Sequence, residues 1–236
     1  KEVLEVGCNS GENAMVLAHF GAKLTLAEPN EQVLPRLKNN FKTFGLDNQI
    51  NEIYNQGLDD LELDNKFDLV IAEGFLNTMP NKDNLLVKLI ELCNDDGFLI
   101  INYDDRFGGF IELLKSCILK QICHLEKISF RGPESLKYSK ILFERSFNEL
   151  QTSRPFAAWW EDQLVNPYAS CIWSLNEILE IAEQYKFFNF ANSPVFSHHN
   201  MYKWYKDIND IGDNKRLLLN NWRRAFAYII TGNNND

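Results

Sequence analysis

Through its first 105 residues the chain alternates short apolar runs with longer amphipathic stretches, and few folds accommodate that rhythm. Runs near residues 2–6, 23–28, 50–55, 67–72 and 97–103 read as strands. Between them helices fit 12–20, 30–44 and 82–94, where Val33, Leu34, Leu37 and Phe41, then Leu85, Leu86, Leu89 and Ile90, recur at helical spacing. Gly21, Gly45 and Gly97 stand where such helices would end. Strands that alternate with helices build βαβ units around a parallel sheet. The ligand crevice of such a sheet lies at the carboxyl ends of its strands.

After Asp105 the pattern changes. Phe107 to about His124 reads as an amphipathic helix, and the stretch from there to Trp173 is aromatic and irregular. A helix returns at Leu175 to Tyr185, and strand-like runs come after it at Phe187 to Phe196 and Arg224 to Thr231. We therefore expect residues 1–105 and 174–236 to form one α/β domain interrupted by a mostly helical insertion, 106–173. An insertion far longer than the usual connection of roughly 2 to 6 residues is expected to act as a cap over substrate. The chain starts on Lys1, directly on a strand-like run, so further sequence upstream is expected.

Composition narrows the function. Apolar residues at 45% and charged residues at 24% suit a packed globular protein and exclude a disordered or disulfide-scaffold chain. With 33 acidic against 24 basic residues the net charge is -9, a field that repels phosphate backbones and so excludes general nucleic-acid binding. Cys8, Cys93, Cys117, Cys123 and Cys171 form no CxxC pair, which points to free thiols in a reducing cytoplasm. No apolar run approaches the roughly 18 to 20 residues of a membrane span, no signal-peptide pattern precedes the first run, and no motif sets an oligomeric state.

The chemistry is concentrated in Val3-Leu4-Glu5-Val6-Gly7-Cys8-Asn9-Ser10-Gly11, followed by a helix and by Leu24-Thr25-Leu26-Ala27-Glu28. A strand that ends in a glycine turn presents backbone N–H groups at a helix N-terminus, and a nucleotide-like ligand can approach closely there. Glu28 ends the second strand, where a carboxylate can accept both hydroxyls of a ribose. The full GxGxxG of dinucleotide enzymes is absent, because Asn9 replaces the middle glycine and Glu12 the last.

These residues resemble the class I S-adenosylmethionine (SAM) dependent methyltransferases, whose first motif is an acidic residue followed by Gly-x-Gly-x-Gly, here Glu5-Val6-Gly7-Cys8-Asn9-Ser10-Gly11. Phe67 to Glu73 is similar to the family's fourth strand, Asp96 to Ile101 to its turn into the fifth, and the last two strand-like runs to its terminal hairpin. The resemblance implies a Rossmann-like, seven-stranded, mostly parallel sheet with helices on both faces. It implies SAM as cofactor, its methionine part held by the glycine turn and its ribose by Glu28. Cofactor contacts are then expected from Glu5, Gly7, Cys8, Asn9, Gly11, Glu28, Leu58, Asp59 and Glu73. Asn9 fits because asparagine tolerates left-handed backbone better than most residues. Gly57 stands where the family often places an acid for the adenine amino group, which shifts that role to the Leu58 backbone or to Asp59. A side chain at Gly11 is expected to exclude the cofactor.

A sulfonium is a good leaving group, so the enzyme has chiefly to align a nucleophile and remove its proton. Glu73, Asn77, Tyr103, Asp104, Asp105, His198 and His199 come after strands, at the carboxyl side. His198 and His199 are the candidate bases, with Asp104 beside them. A metal-assisted alternative would use Asp104, Asp105 and Glu73, although no metal is assigned. The fourth strand leads into Glu73-Gly74-Phe75-Leu76 and not Asn/Asp-Pro-Pro-Tyr, which disfavours adenine or glutamine amino groups as acceptors.

In the insertion, Trp159, Trp160, Tyr168 and Trp173 either fill the core of the cap, stack on a sugar or aromatic acceptor, or shield an amine. Arg131, Arg145 and Arg154 are candidates to hold an anion. Arg154, Trp160, Asp162, Asn166 and Pro167 weakly resemble caps of bacterial methyltransferases, some tied to surface glycans. The expectation is methyl transfer to a small-molecule or glycan-like acceptor. The alternatives are a nicotinamide-dependent oxidoreductase and a non-catalytic binding module on the same sheet.

Overall fold

The computed structural model describes residues 1–149, 152, 154–166, 173–192, 215–216 and 218–225. They divide into two compact units, one of residues 1–103 and 178–188, the other of 104–177 and 189–236.

The first unit is built on one parallel sheet. Strands β1 (Glu2–Val6), β2 (Lys23–Ala27), β3 (Ile50–Tyr54), β4 (Phe67–Ala72) and β5 (Cys93–Ile101) lie in the order β3-β2-β1-β4-β5. Helices α1 (Glu12–His19), α2 (Leu34–Thr43) and α3 (Lys82–Glu91) connect them. This is the Rossmann-like arrangement expected, with the order reversing between β1 and β4. Leu37 and Phe41 of α2 and Ala14 and Ala18 of α1 close over Val3, Leu24 and Leu26 in one core cluster. Leu85, Leu86, Leu89 and Ile90 are the buried residues of α3, as their spacing predicts. Gly97 lies within β5 and does not end the preceding helix, which stops at Glu91.

The strand count differs from the seven expected. Among the described residues the sheet has five strands. Residues 187–192 form no strand, and Arg224 and Ala225 lie in a helical stretch described over 218–225. The remainders of both runs, 193–196 and 226–231, lie outside the described residues. Aromatic composition favours a strand only where side chains pack on a half-buried pleated surface. Phe188 and Phe190 are instead exposed, at 54% and 72%.

The second unit is mostly helical, with α4 (Phe110–Leu125), α5 (Pro133–Glu149) and α6 (Phe156–Trp159), the last running into a π turn at Trp160–Leu164. The division between the units falls within α7 (Leu175–Gln184). Helix α5 occupies sequence that reads as irregular. Its buried residues are Ser135, Ser139, Phe143 and Phe147, a four-residue repeat whose first two members are serines, so a hydrophobic pattern shows only half of it. Among the described residues no helix is long and apolar enough to cross a membrane.

Asp105 organises the joint of this unit. Its Oδ1 accepts from the N–H groups of Phe107 (2.8 Å) and Gly108 (3.3 Å). Its Oδ2 accepts from Leu175 N–H (3.2 Å) and the Trp222 indole N–H (3.0 Å). Asp105→Ala leaves these four donors without their acceptor and is expected to lower the stability of the unit by about 2 kcal/mol. Urea unfolding monitored by tryptophan fluorescence checks this, and an unchanged midpoint would remove Asp105 from the framework.

Candidate functional site

The register of the sheet places Val6 opposite both Ala27 of β2 and Ala72 of β4. The next residues on the three strands, Gly7, Glu28 and Glu73, therefore stand together at the carboxyl edge where the strand order reverses, the position at which open α/β sheets bind ligands.

Backbone conformation shapes the turn after β1. Gly7, Asn9 and Gly11 all have left-handed φ, at 72°, 48° and 81°. Asn9 thus takes the conformation for which the motif normally uses glycine, as asparagine can. The Gly7 and Cys8 N–H groups donate to Ala27 O at 2.8 and 3.3 Å, which ties the turn to β2. The Cys8 side chain belongs to the core cluster, and burial pushes its thiol up to about 12, so it is no nucleophile. Gly11 donates to Cys8 O at 2.8 Å, and a Cβ on it would stand 2.8 Å from Cε2 of Phe41. Packing against α2 is what requires glycine there.

Glu28 is buried and holds two backbones at once. Its Oε2 accepts from Asn9 N–H and its Oε1 from Asn30 N–H, both at 2.8 Å. Each oxygen keeps a second lone pair, so the carboxylate can still accept from two vicinal hydroxyls. Asn55 Nδ2 donates to Glu28 O at 2.9 Å and fixes the strand end.

Glu5 is only 5% exposed, and its Oε2 is buried with no hydrogen-bond partner among the described residues. Burial pushes its carboxyl up to about 7, and the Glu73 charge adds to the shift. The Asn13 side chain and the Ala14 N–H of α1 pull the other way. Asn13 Nδ2 also donates to Glu73 Oε2 at 3.1 Å, so one amide bridges the two acids. That oxygen is left to its own proton or to a donor from a ligand. Glu12, in the first turn of α1, accepts from Ser10 Oγ at 2.5 Å, and that bond holds its carboxyl below the usual range. A helix N-terminus already faced by carboxylates repels a pyrophosphate.

The other expected residues are spread over both units. Leu58 is buried, and Asp59 Oδ1 accepts from Asn81 Nδ2 at 2.5 Å, which links the segments after β3 and β4. A Cβ on Gly57 would meet Cβ of Pro29 at 4.0 Å, an ordinary van der Waals contact, so a side chain would fit there. Asp104 is half-buried and belongs to the second unit. His198 and His199 lie outside the described residues. Of the residues in the metal alternative, Asp105 has its two oxygens committed to four donors. No group of three metal-ligating side chains occurs among the described residues.

Sequence reasoning passes over Asn13, Asn55, Asn102 and Phe75. Asn102 Oδ1 accepts from Gly74 N–H at 2.5 Å. The only signal for these residues is their place just after a strand or in the first turn of a helix.

The aromatic cluster resolves toward core. Trp159 and Trp160 pack with Leu119, Phe143, Phe147 and Phe156, and Trp173 is buried, while Tyr168 lies outside the described residues. The amine over Trp159 is the protein's own Lys115, 5.2 Å from the ring centroid. Arg154 pairs with Asp162, Arg145 lies 3.7 Å from Glu149, and Arg131 Nε donates to Val165 O at 3.2 Å.

Known proteins offer the same picture. A family model described as a methyltransferase domain matches residues 1–187. Among solved structures, PKMT2 from Rickettsia typhi is 15% identical with a TM-score of 0.66, over 97% of this chain and 46% of that one. The same protein in complex with AdoHcy gives 18% identity and a TM-score of 0.58 over 78% and 38%. The CcbJ methyltransferase from Streptomyces caelestis is 20% identical with a TM-score of 0.42 over 46% and 45%. This chain thus spans less than half the length of each, and at 15% and 18% identity the likeness to PKMT2 speaks for the fold. No curated protein matches.

Proposed function

The chain belongs to the methyltransferase-domain family, and on that basis we propose that it transfers the methyl group of SAM to a small-molecule or glycan-like acceptor through an oxygen or nitrogen atom. One observation carries the reading. Two buried carboxylates, Glu5 with an orphaned oxygen and Glu28 with two free lone pairs, flank the turn at Gly7. SAM presents an ammonium at one end and a ribose diol in its middle, and these are the groups the two acids can take. When bound, SAM supplies an electrophilic methyl on a sulfonium.

The chain's own residues bind and orient. Glu28 accepts the ribose hydroxyls, Glu5 the ammonium, and the peptides of Gly7 and Asn9 line the path between. Leu58 and Asp59 are assigned to the adenine side. Asp104, His198 and His199 are assigned the acceptor's proton on chain position alone. Glu5, Glu28 and Glu73 at this edge, with a net charge of -9, favour a neutral or cationic acceptor over a nucleic acid. Among the described residues four thiols are free, three of them buried; they support a reducing compartment, and we assign the protein to the cytoplasm. The missing middle glycine and the carboxylates facing α1 weigh against the nicotinamide alternative.

Methyl-tritiated SAM, incubated with the protein and with separated small-molecule, glycan, protein and nucleic-acid fractions of a cell extract, tests the acceptor. Label is expected in the small-molecule or glycan fraction. Label confined to nucleic acid, or no transfer to any fraction, would contradict the proposal.

Glu5 adds a pH test. A carboxyl near 7 in the folded chain, against 4.5 when unburied, contributes stability below about pH 4.5 that is lost as pH rises through 7. Glu5→Gln is therefore expected to match the native protein near pH 4.5 and to exceed its stability by about 1 to 3 kcal/mol at about pH 8. The same variant is expected to lose about tenfold in SAM affinity at pH 7.5 and the rise in affinity that the native protein shows between pH 5.5 and 7.5. Parallel stability curves for the two proteins would show that Glu5 is not held neutral.

A further inference from the structure

The segment after β4 folds back over the turn after β1. Gly74, with φ of 85°, reverses the chain, and Asn102 Oδ1 holds its N–H. On the far side, Thr78 donates to Phe75 O from both its N–H (2.8 Å) and its hydroxyl (2.6 Å), and Leu76 is fully buried. Phe75 is thus fixed from both ends. Its ring rests on the bare α-carbon of Gly7: a Cβ there would stand 3.0 Å from Cδ1 and 3.3 Å from Cε1 of the ring.

Gly7 lies between the two acids. It stands two residues beyond Glu5 on the chain, and its N–H donates to Ala27 O, beside Glu28. In SAM the sulfur joins the ribose C5′ to the methionine chain, whose α-carbon carries the ammonium and the carboxylate. With ribose on Glu28 and ammonium on Glu5, the sulfur spans the gap that Gly7 floors and the Phe75 ring walls. We propose that Phe75 lies against the sulfonium of bound SAM and makes the site prefer that charged cofactor to its demethylated product. The proposal rests on the cofactor reading above and adds a residue to it.

The ring face carries negative charge density and attracts a cation, whereas the product's neutral thioether gains only dispersion contact. The preference favours product departure after each turnover.

Calorimetry with SAM and with S-adenosylhomocysteine on native protein, Phe75→Leu and Phe75→Trp tests the assignment, with far-ultraviolet circular dichroism confirming that each is folded. Leucine keeps an apolar side chain and removes the π face. Phe75→Leu is expected to lose about fivefold to twentyfold in SAM affinity and less than about twofold for the product. Phe75→Trp is expected to keep the native ratio. Equal losses for both ligands in Phe75→Leu would reduce the ring to an apolar wall and overturn the proposal, as would no loss for either. Native protein that binds neither ligand would instead overturn the cofactor reading, and this proposal with it.

Discussion

Glu28→Ala is expected to weaken SAM binding about 100-fold or more while lowering stability by about 2 to 4 kcal/mol. The loss in affinity has two sources. On the proposed reading, removing the carboxylate deletes two charge-assisted hydrogen bonds to the ribose, each worth about 1.5 to 3 kcal/mol. It also frees Asn9 N–H and Asn30 N–H, whose shared acceptor sets the turn that the cofactor meets. The loss of stability comes from leaving those two part-buried backbone donors without their acceptor. Calorimetry reads the first effect and urea unfolding the second. A variant that loses stability yet binds SAM normally would make Glu28 a strut of the turn and remove it from the cofactor.

Gly11→Val is expected to prevent stable folding of the first unit, an effect of about 4 kcal/mol or more. A left-handed φ of 81° is costly for any β-branched residue, and the new Cβ would stand 2.8 Å from the fully buried Phe41 ring. The motif alone suggests that added bulk here excludes SAM. The structure directs it into the contact between the turn and α2. Gly11→Ala combined with Phe41→Leu, which relieves the contact but not the backbone strain, is expected to regain part of the stability lost by Gly11→Ala alone. A Gly11→Val protein that unfolds at the native midpoint but fails to bind SAM would place the clash on the ligand side.

The parallel sheet is legible in the sequence because its strands are short, apolar and punctuated by glycine, and because the acid at the end of β2 comes after the glycine turn at fixed spacing. The candidate site is legible where the proposed chemistry asks for a residue type, as at Glu5 and Glu28. It is not legible where a contact depends on tertiary packing. Asn13 bridges Glu5 to Glu73, which lies 60 residues beyond it along the chain, and no local pattern announces the link. Phe75 reads as an ordinary apolar residue after a strand, and its contact with Gly7 exists only once β1 and β4 pair. Helix α5 is hidden because Ser135 and Ser139 occupy its buried face. Trp159 and Trp160, which as sequence suit a sugar platform, fill a helical core, and periodicity cannot distinguish that core from a binding surface.

If the carboxyl edge of β1, β2 and β4 binds SAM through Glu28 and Glu5, calorimetric titration of the native protein and of Glu28→Gln with SAM, S-adenosylhomocysteine and NAD will show it. The expected result is saturable one-to-one binding of SAM and its product to the native protein, no binding of NAD, and SAM affinity at least about tenfold weaker in Glu28→Gln. Binding of NAD without SAM, or SAM affinity unchanged in a folded Glu28→Gln protein, would contradict it.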